Sequence, residues 1–335
     1  MSGPRVRPHC PTRRLVVSSA GVAVWPLWAA RAMAEEPPYP SHPIRAVPFG
    51  TGGGPIDGIT RLYADKLQQR WGQPFIVDPK PGASGVLAAS AVAKAPPDGY
   101  TLLFTLPLTH INEAILRQNL PYDPVRDFAP LSQLATGGPM LIVRSDRAWS
   151  NVQEFVAHVK EHPPLSYGTW GIGSNAHLFG ELLKRQCGIE LIHVPYKSEG
   201  AAHADLLGGT LGASFANPAS ARALAGAGKV VALGITGSRR VSAMPQVRTF
   251  TEQGFAGFDL DSWIGVYAPA HTPDAVVETI SAALREITRM PDIAARLIAY
   301  GFEPLGNTPS EFIANYKADY PRVAQLIKAA GVTAE

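Results

Sequence analysis

Twice along this chain a short apolar run leads through a glycine-rich turn into an amphipathic helix, and strands and helices alternate after each turn. This alternation constrains the fold most: a strand, a crossover helix and a further strand build a mainly parallel sheet flanked by helices. In the first block, Ile44 to Phe49 reads as strand. The helix after it carries Ile59, Leu62, Tyr63 and Leu67 on one face and is stopped by Gly72 and Pro74. Phe75 to Val77 and Tyr100 to Thr105 are further strands, separated by the loop Pro81 to Gly85, an alanine-rich helix and the turn Pro97-Asp98-Gly99. The second block has strands at Met140 to Val143, Leu165 to Thr169, Leu191 to Val194, Leu211 to Phe215 and Val230 to Gly234. Helices are expected at Val152 to Lys160 and from the second turn to Gly188. A third stretch opens with the strand Gly265 to Ala268 and then turns helical. Thr272-Pro273 and Thr308-Pro309 read as cap and first-position pairs, and Glu311 completes a capping box.

That last stretch has too few strands for a sheet of its own, so it returns to the first block. The expectation is an α/β chain of two domains, each a mainly parallel sheet flanked by helices. Residues 38–139 and 262–335 form a discontinuous domain 1, and 140–261 form domain 2. The crossovers fall near Gly138–Met140 and Phe258–Trp263, and a ligand cleft lies between the domains.

The amino terminus reads as an export signal over residues 1–34. Arg5, Arg7, Arg13 and Arg14 precede a mostly apolar stretch from Leu15 to Ala30, and Ala32-Met33-Ala34 supplies an A-x-A cleavage site. Thr12-Arg13-Arg14-Leu15-Val16-Val17 has twin-arginine character, so the general secretory and twin-arginine routes both stay open. The formal net charge of +3 belongs to this segment: removing it takes five of the 30 basic residues and no acid, leaving 25 against 27. A mildly acidic mature chain gives no electrostatic case for binding nucleic acid. Cys10 leaves with the signal, and Cys187 stays as a lone, structural cysteine, so the mature fold has no internal disulfide.

The turns Gly52-Gly53-Gly54-Pro55-Ile56-Asp57 and Gly171-Ile172-Gly173-Ser174-Asn175-Ala176-His177 carry the chemistry. A helix start offers unpaired N–H groups and the positive end of the macrodipole, and glycine lets a ligand come close to the backbone. Two such turns are read as one anionic ligand held from two sides. Pro55-Ile56-Asp57 stands where a P-loop needs Gly-Lys-Ser/Thr, and proline replaces the third glycine of the dinucleotide pattern. Asp57 caps its helix or joins the site; His177 is structural or part of the anion site. Glu199 and Asp205 are assigned to a solvated helix face. No metal set, nucleophile elbow or nucleophile–base pair emerges, and no cofactor is expected.

Several stretches together resemble the Bug (Bordetella uptake gene) family, the extracytoplasmic solute receptors of tripartite tricarboxylate transporters. They include Gly53 to Asp57, Ala91 to Leu102, Leu120 to Pro130, Gly171 to Leu178, His193 to Lys197, Asp205 to Gly209 and Ser262-Trp263, within a likeness from about Tyr39 to Gly331. The resemblance implies a type II periplasmic-binding-protein (Venus flytrap) fold that closes over a small carboxylate. It implies a grip by Gly53, Gly54, Ile56 and Asp57 from domain 1 and by Gly173, Ser174 and Asn175 from domain 2. Ser84, Gly85, Val86 and the strand end Phe215–Asn217, with Ala216 and Asn217, would line the remainder.

There are departures from the family pattern. Pro48-Phe49 sits one position early, Val86 stands where asparagine is common, Ala216 where aspartate is common, and Trp170 where a small residue is usual. They point to a ligand less polar than a tricarboxylate or amino acid, such as an aromatic or aliphatic acid; Trp170 can equally be a packing residue. The expected function is that of an exported, periplasmic, non-catalytic receptor, working as a monomer and passing an organic acid to membrane permease subunits. Two alternatives are an exported enzyme using His177 or Asp57 as base, and a sensory protein that presents its ligand without transport.

Overall fold

The computed structural model describes residues 39–333; the signal segment 1–34 and Cys10 lie outside the described residues. The first half contains β1 (Ile44–Pro48), α1 (Pro55–Trp71), β2 (Phe75–Val77), α2 (Val86–Ala93), β3 (Thr101–Thr105), α3 (Glu113–Leu116) and β4 (Phe128–Gly137). A 3-10 turn, Ala83–Gly85, precedes α2, and a π-helical turn, Leu108–Asn112, precedes α3. The second half contains β5 (Met140–Arg144), α4 (Val152–Glu161), β6 (Leu165–Thr169), α5 (Asn175–Cys187), β7 (Leu191–Pro195), α6 (Glu199–Gly208), β8 (Ala213–Ala216), α7 (Pro218–Gly226) and β9 (Val230–Ile235). The chain ends with β10 (Ser262–Pro269), α8 (Asp274–Thr288), α9 (Pro291–Ala299), β11 (Glu303–Pro304) and α10 (Pro309–Ala330).

These strands form two sheets, in the orders β11-β4-β10-β3-β1-β2 and β7-β6-β8-β5-β9. The expectation of mainly parallel sheets needs correcting, because both are mixed. In the first, β1 pairs in parallel with β2 and β3, whereas β10 lies antiparallel between β3 and β4. In the second, β6 is parallel to β7 and β8, and β5 is antiparallel to β8 and β9. The reversed strands β5 and β10 each follow a passage between the sheets, which replaces the helical crossover that parallel pairing requires. The chain leaves the first sheet through Gly138-Pro139. It returns through the segment between β9 and β10. The passages touch: Thr236 N–H donates to the Pro139 carbonyl at 3.0 Å, and a Cβ on Gly138 would lie 2.2 Å from the Thr236 carbonyl oxygen. Only glycine admits that approach.

Local signals act where they stand. Gly72 caps α1 at φ +69°, and Thr308 with Glu311 forms a complete capping box on α10. Thr272 does not cap α8 as expected; Pro273 takes the cap position and the Thr272 hydroxyl donates to the Pro269 carbonyl. Strand β4 and the edge strand β11 add to the expected set. The last helix is shared between the halves. Phe312, in its first turn, packs edge-on against Trp263 of β10, while the helix also lies along α5. Cys187 closes α5 half-buried, where burial pushes its thiol up. Among the described residues no helix is long and apolar enough to cross a membrane.

Candidate ligand-binding site

The start of α1 is capped by its own acid. No side chain caps the helix at Gly54, but Asp57 folds back and accepts the Gly53 N–H at 2.9 Å. The Arg61 guanidinium donates twice to the same carboxylate, at 2.9 and 3.1 Å. Burial alone would push the Asp57 carboxyl up; the hydrogen bonds from Arg61 and the Gly53 N–H outweigh it and hold the group below the usual carboxylate range. Gly54 N–H closes the turn on the Thr51 carbonyl at 3.1 Å. Pro55 has no N–H, so the amides left over belong to Ile56 and Asp57, which find no protein acceptor among the described residues.

The second turn reaches the same result by other means. Ser174 caps α5, accepting the His177 N–H at 3.3 Å while its hydroxyl donates to the Gly171 carbonyl at 2.7 Å. Gly173, at φ +74°, donates its N–H to His177 Nδ1 at 3.2 Å. That bond requires an unprotonated Nδ1, and burial lowers the His177 pKa accordingly. The ring stacks on His193 at 3.8 Å, and burial pushes His193 down to about 3. His193 Nε2 in turn meets the Thr169 hydroxyl at 2.7 Å. Within α5 itself, the amides of Asn175 and Ala176 find no protein acceptor among the described residues.

Both helix starts open on one cavity. Pro55, Ile56, Leu106 and Leu108 from the first half face Trp170, Ser174, Asn175, Glu199 and Asn217 from the second, around about 210 Å³. That is below the roughly 300–1,000 Å³ of drug-sized sites, so the space suits a small molecule. Gly138, Pro139 and Phe302 complete the apolar wall. An outer cleft, sharing Ile56, Trp170 and Ser174 with this cavity, adds Gly54, Ser84, Gly85, Arg117 and Lys197. Pro48 ends β1, and Phe49, one residue on, lines this outer cleft.

Of the residues singled out in the sequence, Gly54, Ile56, Ser84, Gly85, Trp170, Ser174, Asn175 and Asn217 line the cleft. The Asp57 carboxylate, the His177 ring and the N–H groups of Gly53 and Gly173 stand behind it, spent on shaping the turns, whereas the Asp57 N–H stays free. The inference drawn from Val86 and Ala216 needs correcting. Val86, the first residue of α2, is buried and Ala216 is fully buried on β8, so neither side chain sets the polarity of the cleft. Glu199 also needs correcting: it is half-buried on the cavity wall instead of solvated. Its companion Asp205 accepts the Tyr196 hydroxyl at 2.6 Å. Asn112 is a further residue of the site that no sequence motif marks. It is fully buried, and its Nδ2 donates across the halves to the Gly173 carbonyl at 2.9 Å and to Asn175 Oδ1 at 3.0 Å. No local pattern marks an asparagine in a π-helical turn as such a contact, although such turns are frequent at functional sites.

The arrangement suits an anion: four free amides and the positive ends of two helices, in a cavity with mostly apolar walls. A family model described as the tripartite tricarboxylate transporter family receptor matches residues 59–332, beginning just past the first turn. A UPF0065 protein of Agrobacterium vitis is 35% identical over 312 residues, covering 91% of this chain and 88% of its own. The solved R. palustris protein Rpa4515, with adipate, superposes with a TM-score of 0.81 at 30% identity, over 89% of this chain and 100% of that one. The periplasmic binding protein BugD superposes with a TM-score of 0.78 at 31% identity, over 89% and 100%.

Proposed function

The chain belongs to the tripartite tricarboxylate transporter receptor family and is a solute-binding receptor of such a transporter; from that premise we propose how it holds its ligand. One carboxylate of a small organic acid accepts hydrogen bonds from the N–H groups of Ile56 and Asp57 on one side and of Asn175 and Ala176 on the other. The body of the ligand lies against Trp170, Leu106, Leu108 and Phe302. The observation that carries this reading is that these four amides, at two helix starts on one cavity, have no protein acceptor among the described residues. Adipate in the related Rpa4515 supports a carboxylate as the ligand class.

Residues 38–139 with 262–335 act as one lobe and 140–261 as the other. They move about the paired passages at Gly138-Pro139 and near Thr236, with closure excluding water from the bound carboxylate. Residues 1–34 are removed on export to the periplasm, and the protein, as a monomer, hands its ligand to the membrane permease subunits. Binding without catalysis is supported by the commitments of the two candidate bases. Asp57 is held by Gly53 and Arg61, and His177 by Gly173.

Charge-assisted hydrogen bonds contribute roughly 1.5–3 kcal/mol each, against at least about 4 kcal/mol for lost translational and rotational freedom. For four such bonds the surplus is at most about 8 kcal/mol, so about micromolar is the tightest affinity that these bonds alone support. Mass spectrometry of the purified protein and calorimetric titration with mono-, di- and tricarboxylates test the proposal. The expected result is a retained, chemically unchanged acid and saturable one-to-one binding. Turnover of an added acid, or binding restricted to cations, would overturn it.

A further inference from the structure

Glu199 is the only charged residue among the described residues that line the inner cavity. It is held in place. Ser198 caps α6 by accepting the Ala201 N–H, which fixes Glu199 as the first residue of that helix. Its Oε1 then accepts the Asn217 N–H, at the start of α7, at 2.6 Å. His203 lies behind it: its Nε2 is 3.6 Å from Oε1, too long for a hydrogen bond, and 3.3 Å from the Phe215 carbonyl. Oε2 meets no protein donor among the described residues. The cations of the cleft, Lys197 and Arg117, line its outer part and not the inner cavity.

A carboxylate with one oxygen committed and one open is an acceptor without a donor, in a space with otherwise neutral walls. It favours a ligand group that donates a hydrogen bond and disfavours a second anion close by. We propose that Glu199 is a specificity-determining residue. By this assignment the preferred ligand carries one carboxylate for the helix starts and, at its other end, a hydroxyl or ammonium donor for Glu199 Oε2, in place of a second carboxylate. This rests on the receptor reading given above. It also reverses the inference of a weakly polar ligand drawn from Val86 and Ala216: the acceptor that Ala216 lacks is supplied by α6.

The test is calorimetric titration of the full mature protein and of Glu199→Gln with matched butanoate, pentanoate and hexanoate series. Each series contains the plain acid, its terminal hydroxyl and terminal amino derivatives, and the dicarboxylate of equal reach. Glutamine keeps an acceptor for the Asn217 N–H, and a thermal melt checks that the fold is retained. In the wild-type protein the hydroxy or amino acid of the best-fitting length should bind about tenfold tighter than its dicarboxylate. Glu199→Gln should abolish that preference, the dicarboxylate gaining and the donor acid losing about threefold each. Comparing the hydroxyl and amino arms tells which donor is read. Equal wild-type affinity for donor acids and dicarboxylates, or an unchanged ratio in Glu199→Gln, overturns the role of Glu199 and leaves the receptor reading intact. Failure of the folded wild-type protein to bind any of these acids, at any length, overturns both.

Discussion

Asp319 illustrates how a single group on the shared helix can be tuned by packing. Burial pushes its carboxyl up to about 6, against the pull of Arg322. The folded state therefore holds a proton that the unfolded chain, at the ordinary value of 3.8, releases earlier. Between those values stability falls as pH rises, and above about 6 the full cost is present. Replacing Asp319 with Asn should therefore stabilise the protein at pH 7 by about 1 kcal/mol, after discounting for partial exposure. A thermal melt should show this gain at pH 7 and its disappearance near pH 4; a gain independent of pH would count against burial as the cause. Glu199 belongs to this same scale. A glutamate after a serine cap is usually solvated, and only the position of α7 turns this one into the cavity.

Elements show where local sequence rules suffice. The glycine turns are legible because Gly53 and Gly173 adopt φ of +82° and +74°, which side chains rarely tolerate, just before well-patterned helices. Strand β4 is not legible, because its polar residues are buried. Gln133 and Ser132 have almost no exposure, yet Asn307 satisfies them: its Oδ1 accepts the Gln133 N–H and its Nδ2 donates to Gln133 Oε1, both at 2.7 Å. Without that distant partner, Ser132-Gln133 breaks any strand periodicity.

The contact made by Asn112 is equally non-local. Removing it leaves the Gly173 carbonyl and Asn175 Oδ1 without their donor, and unties the turn that aims the Asn175 and Ala176 amides. Asn112→Ala should weaken carboxylate binding about tenfold, because it favours the arrangement in which the halves are apart. Titration beside a thermal melt checks this, and unchanged affinity would show that the turn holds its shape unaided.

For the whole molecule, the buried histidines set the response to acid. Burial pushes His110 and His193 down to about 3 and lowers His177 as well. Each is neutral in the fold and takes up a proton on unfolding below the ordinary value of 6.5. The stability they contribute is complete above about 6.5 and is lost as pH falls toward 3. This opposes the smaller gain from Asp319. The unfolding temperature should therefore fall between pH 7 and pH 4, with His110 contributing on the order of 1–2 kcal/mol by pH 5. Melts across this range measure it, and a flat profile would mean that the histidines are not held neutral.

The sequence by itself determined short-range features: where α1 and α5 start and stop, where α10 starts, which face of α1 is apolar, and that two amide-rich turns precede α1 and α5. These depend on backbone conformation and periodicity, which neighbouring residues fix. It also carried the family, through motifs kept in order. Only the tertiary structure decided which amides stay free, since Asp57 and His177 take up those of Gly53 and Gly173 by folding back. It likewise decided that the sheets are mixed, that α10 packs on both halves, and that Glu199 faces the cavity. Each of these depends on groups distant in sequence meeting in space, where the cost of leaving a buried polar group unpaired selects the arrangement.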